Sequence, residues 1–226
     1  YQPLAKEIPG KLPPVVEPPL PPAAMATVEE LFLTGQRIEQ FHNPTVDALA
    51  YMKEALKRDP GESRVNTWMG NYCMKRGMYA EAASYFRTAI NRITHDYTRP
   101  ANCEALFGLG LALKNLGRYD DATDTLYRAT WDYAWHSAAY FQLASISVIR
   151  RDLAGAYGQV EQSLETNRGN GQAVALKDSI LRSLGQPGKA LEILDAALGR
   201  DPLDWRMGYE RVLCLEALQR TAEAKK

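Results

Sequence analysis

The chain is expected to be all-α, a stack of antiparallel helix pairs repeating at a fixed period. Three observations predict this. Small residues recur at matched offsets: Gly70, Gly77, Ala82 and Ala89, then Gly110, Gly117, Ala122 and Ala129, then Gly185, Ala190 and Ala197. Apolar and small positions within each segment follow the i, i+3, i+4, i+7 spacing of one helix face, as in Leu106, Leu109, Gly110 and Leu113. Proline crowds the first residues (Pro3, Pro9, Pro13, Pro14, Pro18, Pro19, Pro21, Pro22) and afterwards falls only between predicted helices or at their starts.

Taken in order, residues 1–26 read as an extended, proline-rich linker, because proline fixes φ and lacks the N–H that a helix or central strand needs. A stiff spacer is the preferred reading. Pro18-Pro19-Leu20-Pro21-Pro22 also has the make-up of a ligand for aromatic grooves. Thr27-Val28-Glu29-Glu30 fits a capping box, a hydroxyl followed three residues later by Glu. From there a single helical array, 27–226, divides into units 29–62, 63–102, 103–136, 137–170 and 171–204, with a partial unit 205–226. The second helix of the first unit is expected to start near Pro44, and the second unit to carry an insertion over 94–102. The chain starts without Met and ends inside the sixth unit, so it reads as a piece of a longer protein.

Composition narrows the function. The 226 residues carry 27 basic and 27 acidic side chains and no net charge, against a broad surface for nucleic acid or anionic membrane. No apolar run approaches the ~20 residues that span a bilayer. Cys73, Cys103 and Cys214 are odd in number and form no CxxC pair, so buried reduced thiols and a cytoplasmic location are expected. His42, His95 and His136 lie in no metal-ligand spacing, and no nucleophile elbow, P-loop or HExxH occurs. No cofactor and no catalytic residue are therefore assigned.

These spacings resemble the tetratricopeptide pattern, a unit of about 34 residues with small or apolar residues at places 4, 7, 8, 11, 20, 24 and 27. The resemblance implies an α-solenoid, a right-handed superhelix of helix-turn-helix repeats, acting as a scaffold. Places 8 and 20 must be small where the two helices of a unit cross, which Gly70 with Ala82, Gly110 with Ala122 and Ala144 with Ala156 satisfy. Asp178 departs at place 8 of the fifth unit, where a dry carboxylate is costly. Either that crossing is looser or Asp178 finds a donor.

Three segments are more particular: 31–35 and 38–41 with 58–66, then 76–82, then 129–140, the last reading Ala-Thr-Trp-Asp-Tyr-Ala-Trp-His-Ser-Ala-Ala-Tyr. Together they resemble the repeat region of bacterial proteins carrying the domain of unknown function DUF5107. That resemblance covers about 27–205 and implies a preceding β-rich, carbohydrate-related domain of the aldose-epimerase kind. It carries over no catalytic residue.

Two candidate surfaces follow. Places 2, 5, 9 and 12 of the first helix of each unit share one face and, in repeats of this kind, line a concave groove. The groove candidates are Arg37, Arg64, Thr67, Asn71, Met74, Phe107, Leu111, Lys114, Phe141, Ser145, Ser179 and Arg182. An apolar middle with a polar rim suits a peptide or protein segment, and Phe107→Ser is expected to spare the fold. Leu33, Arg37 and Trp68 do not fit a chaperone-tail clamp. The second surface is the aromatic cluster Trp131, Tyr133, Trp135, His136 and Tyr140, which either docks a partner domain or packs between units. The expected function is a non-catalytic scaffold binding a peptide or protein segment in its groove, with docking on the preceding domain as the alternative. Self-association through the uncapped last repeat is a further route.

Overall fold

The computed structural model describes residues 17–42 and 45–224. Among the described residues every regular element is a helix. The chain divides into two compact units, Tyr1–Pro60 and Gly61–Lys226.

In the first unit, helix α1 (Val28–Gln40) starts as its sequence predicts. Glu30 N–H donates to Thr27 Oγ1 at 3.1 Å, and Thr27 N–H donates to Glu30 Oε2 at 3.1 Å. Helix α2 (Ala48–Arg58) begins later than the expected start near Pro44, which lies outside the described residues. Asp47 sets its start by accepting from Leu49 N–H at 2.9 Å. Gly35 lets the two helices meet, since a Cβ there would lie 2.8 Å from Met52 Cε.

The described end of the proline-rich segment is tied to α2. Pro21 has φ −55° and ψ 146°, the polyproline II region. Tyr51 Oη donates to the Leu20 carbonyl at 2.8 Å, and Arg58 donates to the carbonyls of Met25 at 2.7 Å and Pro22 at 3.2 Å. The expected extended linker before residue 17 falls outside the described residues.

The second unit pairs α3 (Ser63–Met74) with α4 (Tyr79–Ile93), α5 (Glu104–Asn115) with α6 (Tyr119–Ala129) and α7 (Tyr133–Ile149) with α8 (Leu153–Thr166). It continues with α9 (Gly171–Ser183), α10 (Pro187–Leu198), α11 (Trp205–Ala217) and the short α12 (Thr221–Ala224). One turn closes the first helix of all five pairs. Met78, Arg118, Asp152, Gln186 and Arg220 each donate their N–H to the carbonyl five residues back, at 2.8–3.0 Å. The preceding residue has positive φ every time: Gly77 (72°), Gly117 (73°), Arg151 (63°), Gly185 (76°) and Gln219 (59°). This is the Schellman closure, for which glycine has no steric cost. Gly77, Gly117 and Gly185 are therefore turn residues, and Arg151 and Gln219 adopt the same conformation without glycine's freedom.

The helix crossings need their small residues. A Cβ on Gly70 would meet Phe86 at 2.5 Å, and one on Gly110 would meet Leu126 at 2.6 Å. The tightest neighbour is thus the side chain at place 24, with Ala82 and Ala122 buried beside it. Phe86 also fills the space against Gly108 of the next pair, so it joins two repeats into one core.

Two departures from expectation have local causes. Helix α7 starts at Tyr133, a turn ahead of Ser137, because Asp132 Oδ1 accepts from Ala134 N–H at 3.0 Å and caps it there. The segment 94–102 lies between α4 and α5, and Asp132 Oδ2 accepts from the N–H of Cys103, the residue that follows it, at 3.0 Å. Asp178, on α9, is fully buried, and neither carboxylate oxygen has a hydrogen-bond partner among the described residues. The donor allowed for from the sequence is not there. Burial pushes its carboxyl from 3.8 up to about 7, Lys177 pulls it down and Glu210 pushes it up.

Candidate functional site

In the second unit, α3, α5, α7, α9 and α11 are successive neighbours, so their equivalent faces run together. Most polar groove candidates on these faces are engaged within the protein. Asn71 Nδ2 donates to Glu104 at 3.0 Å, Lys114 Nζ to Gln142 at 2.7 Å, and Arg182 Nε to Glu210 at 3.2 Å. Each bond stitches one first helix to the next. Burial pulls the Lys114 ammonium below its ordinary value. Arg64 pairs with Glu62 at 2.8 Å. The hydroxyls of Thr67 and Ser145 donate to carbonyls one turn back, those of Ser63 and Phe141.

The apolar candidates divide. Met74 and Phe107 pack against the core of α3 to α7, and Phe107 stacks on Trp135 with ring centroids 4.9 Å apart. This packing weighs against the expectation that Phe107→Ser leaves the fold largely intact. Leu111 is half-buried. Phe141 and Ser179 help line an open cleft of about 440 Å³ between α7, α9 and α11. Its other walls are Gln172, Ala175 and Leu176 from α9 and Trp205, Arg206, Tyr209 and Glu210 from α11. Trp205 is 73% exposed and Tyr209 is 60% exposed. Sequence reasoning left out all four α11 residues because it treated the sixth unit as a fragment. Arg206 and Tyr209 nevertheless stand at places 2 and 5, where the groove pattern points. Arg37 is exposed on α1, in the first compact unit.

The aromatic cluster divides as well. Trp135 turns inward onto Phe107. The His136 ring lies 4.7 Å from that of Tyr140, and its Nδ1 is 3.1 Å from the Thr130 carbonyl oxygen. Tyr140 meets Tyr127 edge-on at 6.2 Å. These three rings pack between helices. Trp131 and Tyr133 stay exposed and line a second cleft of about 340 Å³ with Arg99, Pro100, Ala101 and Asp132. Arg99 donates to the Trp131 carbonyl there.

Cys73, Cys103 and Cys214 are buried free thiols, and burial raises the pKa of each. His95 and Asp96 lie 2.7 Å apart, well exposed, in the inserted loop. Among the described residues no group of three or more His, Cys, Asp or Glu could hold a metal ion. No helix among them is long and apolar enough to cross a membrane.

Sequence models of the tetratricopeptide repeat match residues 47–97, 104–134 and 179–224, together more than half of the chain. Solved structures share the fold. A tetratricopeptide repeat protein from Parabacteroides merdae is 17% identical, with a TM-score of 0.69 over 88% of this chain and 76% of that one. PilF of Pseudomonas aeruginosa is 18% identical, with a TM-score of 0.71 over 87% and 86%. YrrB, described as a TPR protein with an unusual peptide-binding site, is 22% identical, with a TM-score of 0.61 over 78% and 88%. Repeating helix pairs closed by one turn, small residues at their crossings and matching sequence models together place this chain in the tetratricopeptide repeat family.

Proposed function

We propose that the chain is a non-catalytic interaction scaffold that holds a peptide or protein segment on the first-helix faces of its second unit. The observation carrying this is the cleft between α7, α9 and α11, where Trp205 and Tyr209 leave large aromatic surfaces in water beside Phe141 and Leu176. Exposed aromatics around a pocket concentrate binding energy, because they bury much apolar area at little entropic cost. The groove's working part is then this end, since Asn71 and Lys114, further along it, already bond to neighbouring helices. YrrB, with its peptide-binding site, is consistent with such a role. Three buried free thiols suit a reducing compartment such as the cytoplasm.

Selection from a displayed peptide library tests the reading. The parent should enrich a peptide family that a Trp205→Ala, Tyr209→Ala double variant does not. Failure of the folded parent to enrich any family, or equal enrichment by the variant, would overturn it.

A second reading has its own support: Trp131 and Tyr133 are exposed beside the insertion and suit docking on a preceding β-rich domain. Calorimetric titration against that domain should then lose its heat on Trp131→Ala but not on Tyr209→Ala.

A further inference from the structure

We propose that the cleft between α7, α9 and α11 selects a segment in which a bulky apolar side chain stands beside a carboxylate. This rests on the scaffold reading above and adds the chemistry of the occupant. The apolar half follows from the walls. Trp205 and Tyr209 are four residues apart on α11, hence neighbours on one helix face, and Phe141 and Leu176 stand opposite. A volume of about 440 Å³ accepts one or two large side chains rather than a folded surface.

The charged half follows from which cleft ions are already compensated. Glu210 lies in the cleft, but the Arg182 guanidinium bonds its carboxylate at 3.2 Å, and the Glu210 side chain is only 15% exposed. Asp204, at the start of α11, is not among the cleft's walls, and its Oδ1 accepts from the N–H groups of Arg206 and Met207, at 3.0 and 3.2 Å. Arg206 is different. It is exposed, it has no carboxylate partner among the described residues, and its guanidinium carbon lies 5.6 Å from the centre of the Trp205 ring. The cleft therefore offers one uncompensated cation next to its largest exposed ring. A ligand carboxylate there gains a charge-assisted hydrogen bond, while a ligand ammonium meets repulsion. Gln172, on the same wall, supplies an amide that can bond the backbone of an extended segment.

Three fluorescein-labelled synthetic peptides test this by anisotropy. One carries a Phe-Leu core flanked by aspartates, one the same core flanked by lysines, and one is a run of prolines. The aspartate peptide should bind about tenfold tighter than the lysine peptide at low salt, with the gap narrowing as salt rises. Arg206→Glu should abolish or reverse the preference, and Tyr209→Ala should weaken both Phe-Leu peptides. Both side chains are exposed, so unchanged far-UV circular dichroism is expected for each variant. Equal binding of the two Phe-Leu peptides, or a preference that survives Arg206→Glu, overturns the carboxylate preference and leaves the scaffold reading standing. Tightest binding of the proline peptide overturns the proposal in favour of a polyproline ligand. Binding of none of the three at the solubility limit sinks both the proposal and this location for the scaffold's site.

Discussion

Replacing Asp178 by alanine should stabilise the protein, increasingly so as pH rises. The folded chain keeps this carboxyl protonated up to about pH 7, whereas its ordinary value is 3.8. Between those values the unfolded chain has lost the proton and the folded chain has not, so unfolding releases a proton and stability falls as pH rises. The loss begins near pH 4 and is complete above about pH 7. At about 1.4 kcal/mol per pH unit, the full penalty is on the order of 4 kcal/mol. Alanine removes it and matches the buried Ala144 at the same place of the preceding unit. The vacated volume costs roughly 0.5 kcal/mol, and alanine's higher helix propensity offsets a similar amount. Urea unfolding followed by far-UV circular dichroism at pH 5 and pH 8 reads the difference. The variant's advantage should grow by roughly 2–3 kcal/mol between the two. An advantage that does not change with pH, or a variant weaker than the parent at pH 8, would refute the reasoning, because it would mean that the carboxylate is ionised and satisfied in the fold.

Two further substitutions probe packing. Gly110→Leu places a side chain where even a Cβ would lie 2.6 Å from Leu126; it should cost on the order of 1–3 kcal/mol or more in the same assay. Phe107→Ser, whose ring stacks on Trp135 and packs on the core, should cost roughly 1–3 kcal/mol and change the near-ultraviolet tryptophan signal. A Phe107→Ser protein as stable as the parent would return that ring to the list of free groove residues.

Much of the fold was legible because the repeat writes the same constraint several times. Gly77, Gly117 and Gly185 mark a turn of positive φ, and Gly70 and Gly110 mark crossings where no Cβ fits. Arg151 and Gln219 were not legible as the same turn, since the surrounding helices impose a conformation that neither residue prefers. The start of α7 was missed because the period was trusted over Asp132, a good N-cap visible in the sequence. The candidate cleft was half legible. Places 2, 5, 9 and 12 found Phe141 and Ser179, and the same rule applied once more gives Arg206 and Tyr209. Periodicity alone carries no information about which polar groups bond to neighbouring helices, so Asn71, Lys114 and Arg182 looked more available than they are. Nor could it separate Trp135, which turns inward, from Trp131, which does not.

The turn shared by all five pairs has a consequence for where this architecture can change length. Its hydrogen bond spans a fixed number of residues, so one added residue there would break the ring and mispair the two helices it joins. The junctions between pairs obey no such rule. There a short side chain caps only the helix that follows, Asp132 before α7, Asn170 before α9 and Asp204 before α11, and the extra segment 94–102 sits at another such junction, before α5. Loops grafted between pairs should thus be accepted, while grafts within a pair should not. New recognition can be added to the scaffold without renegotiating its core.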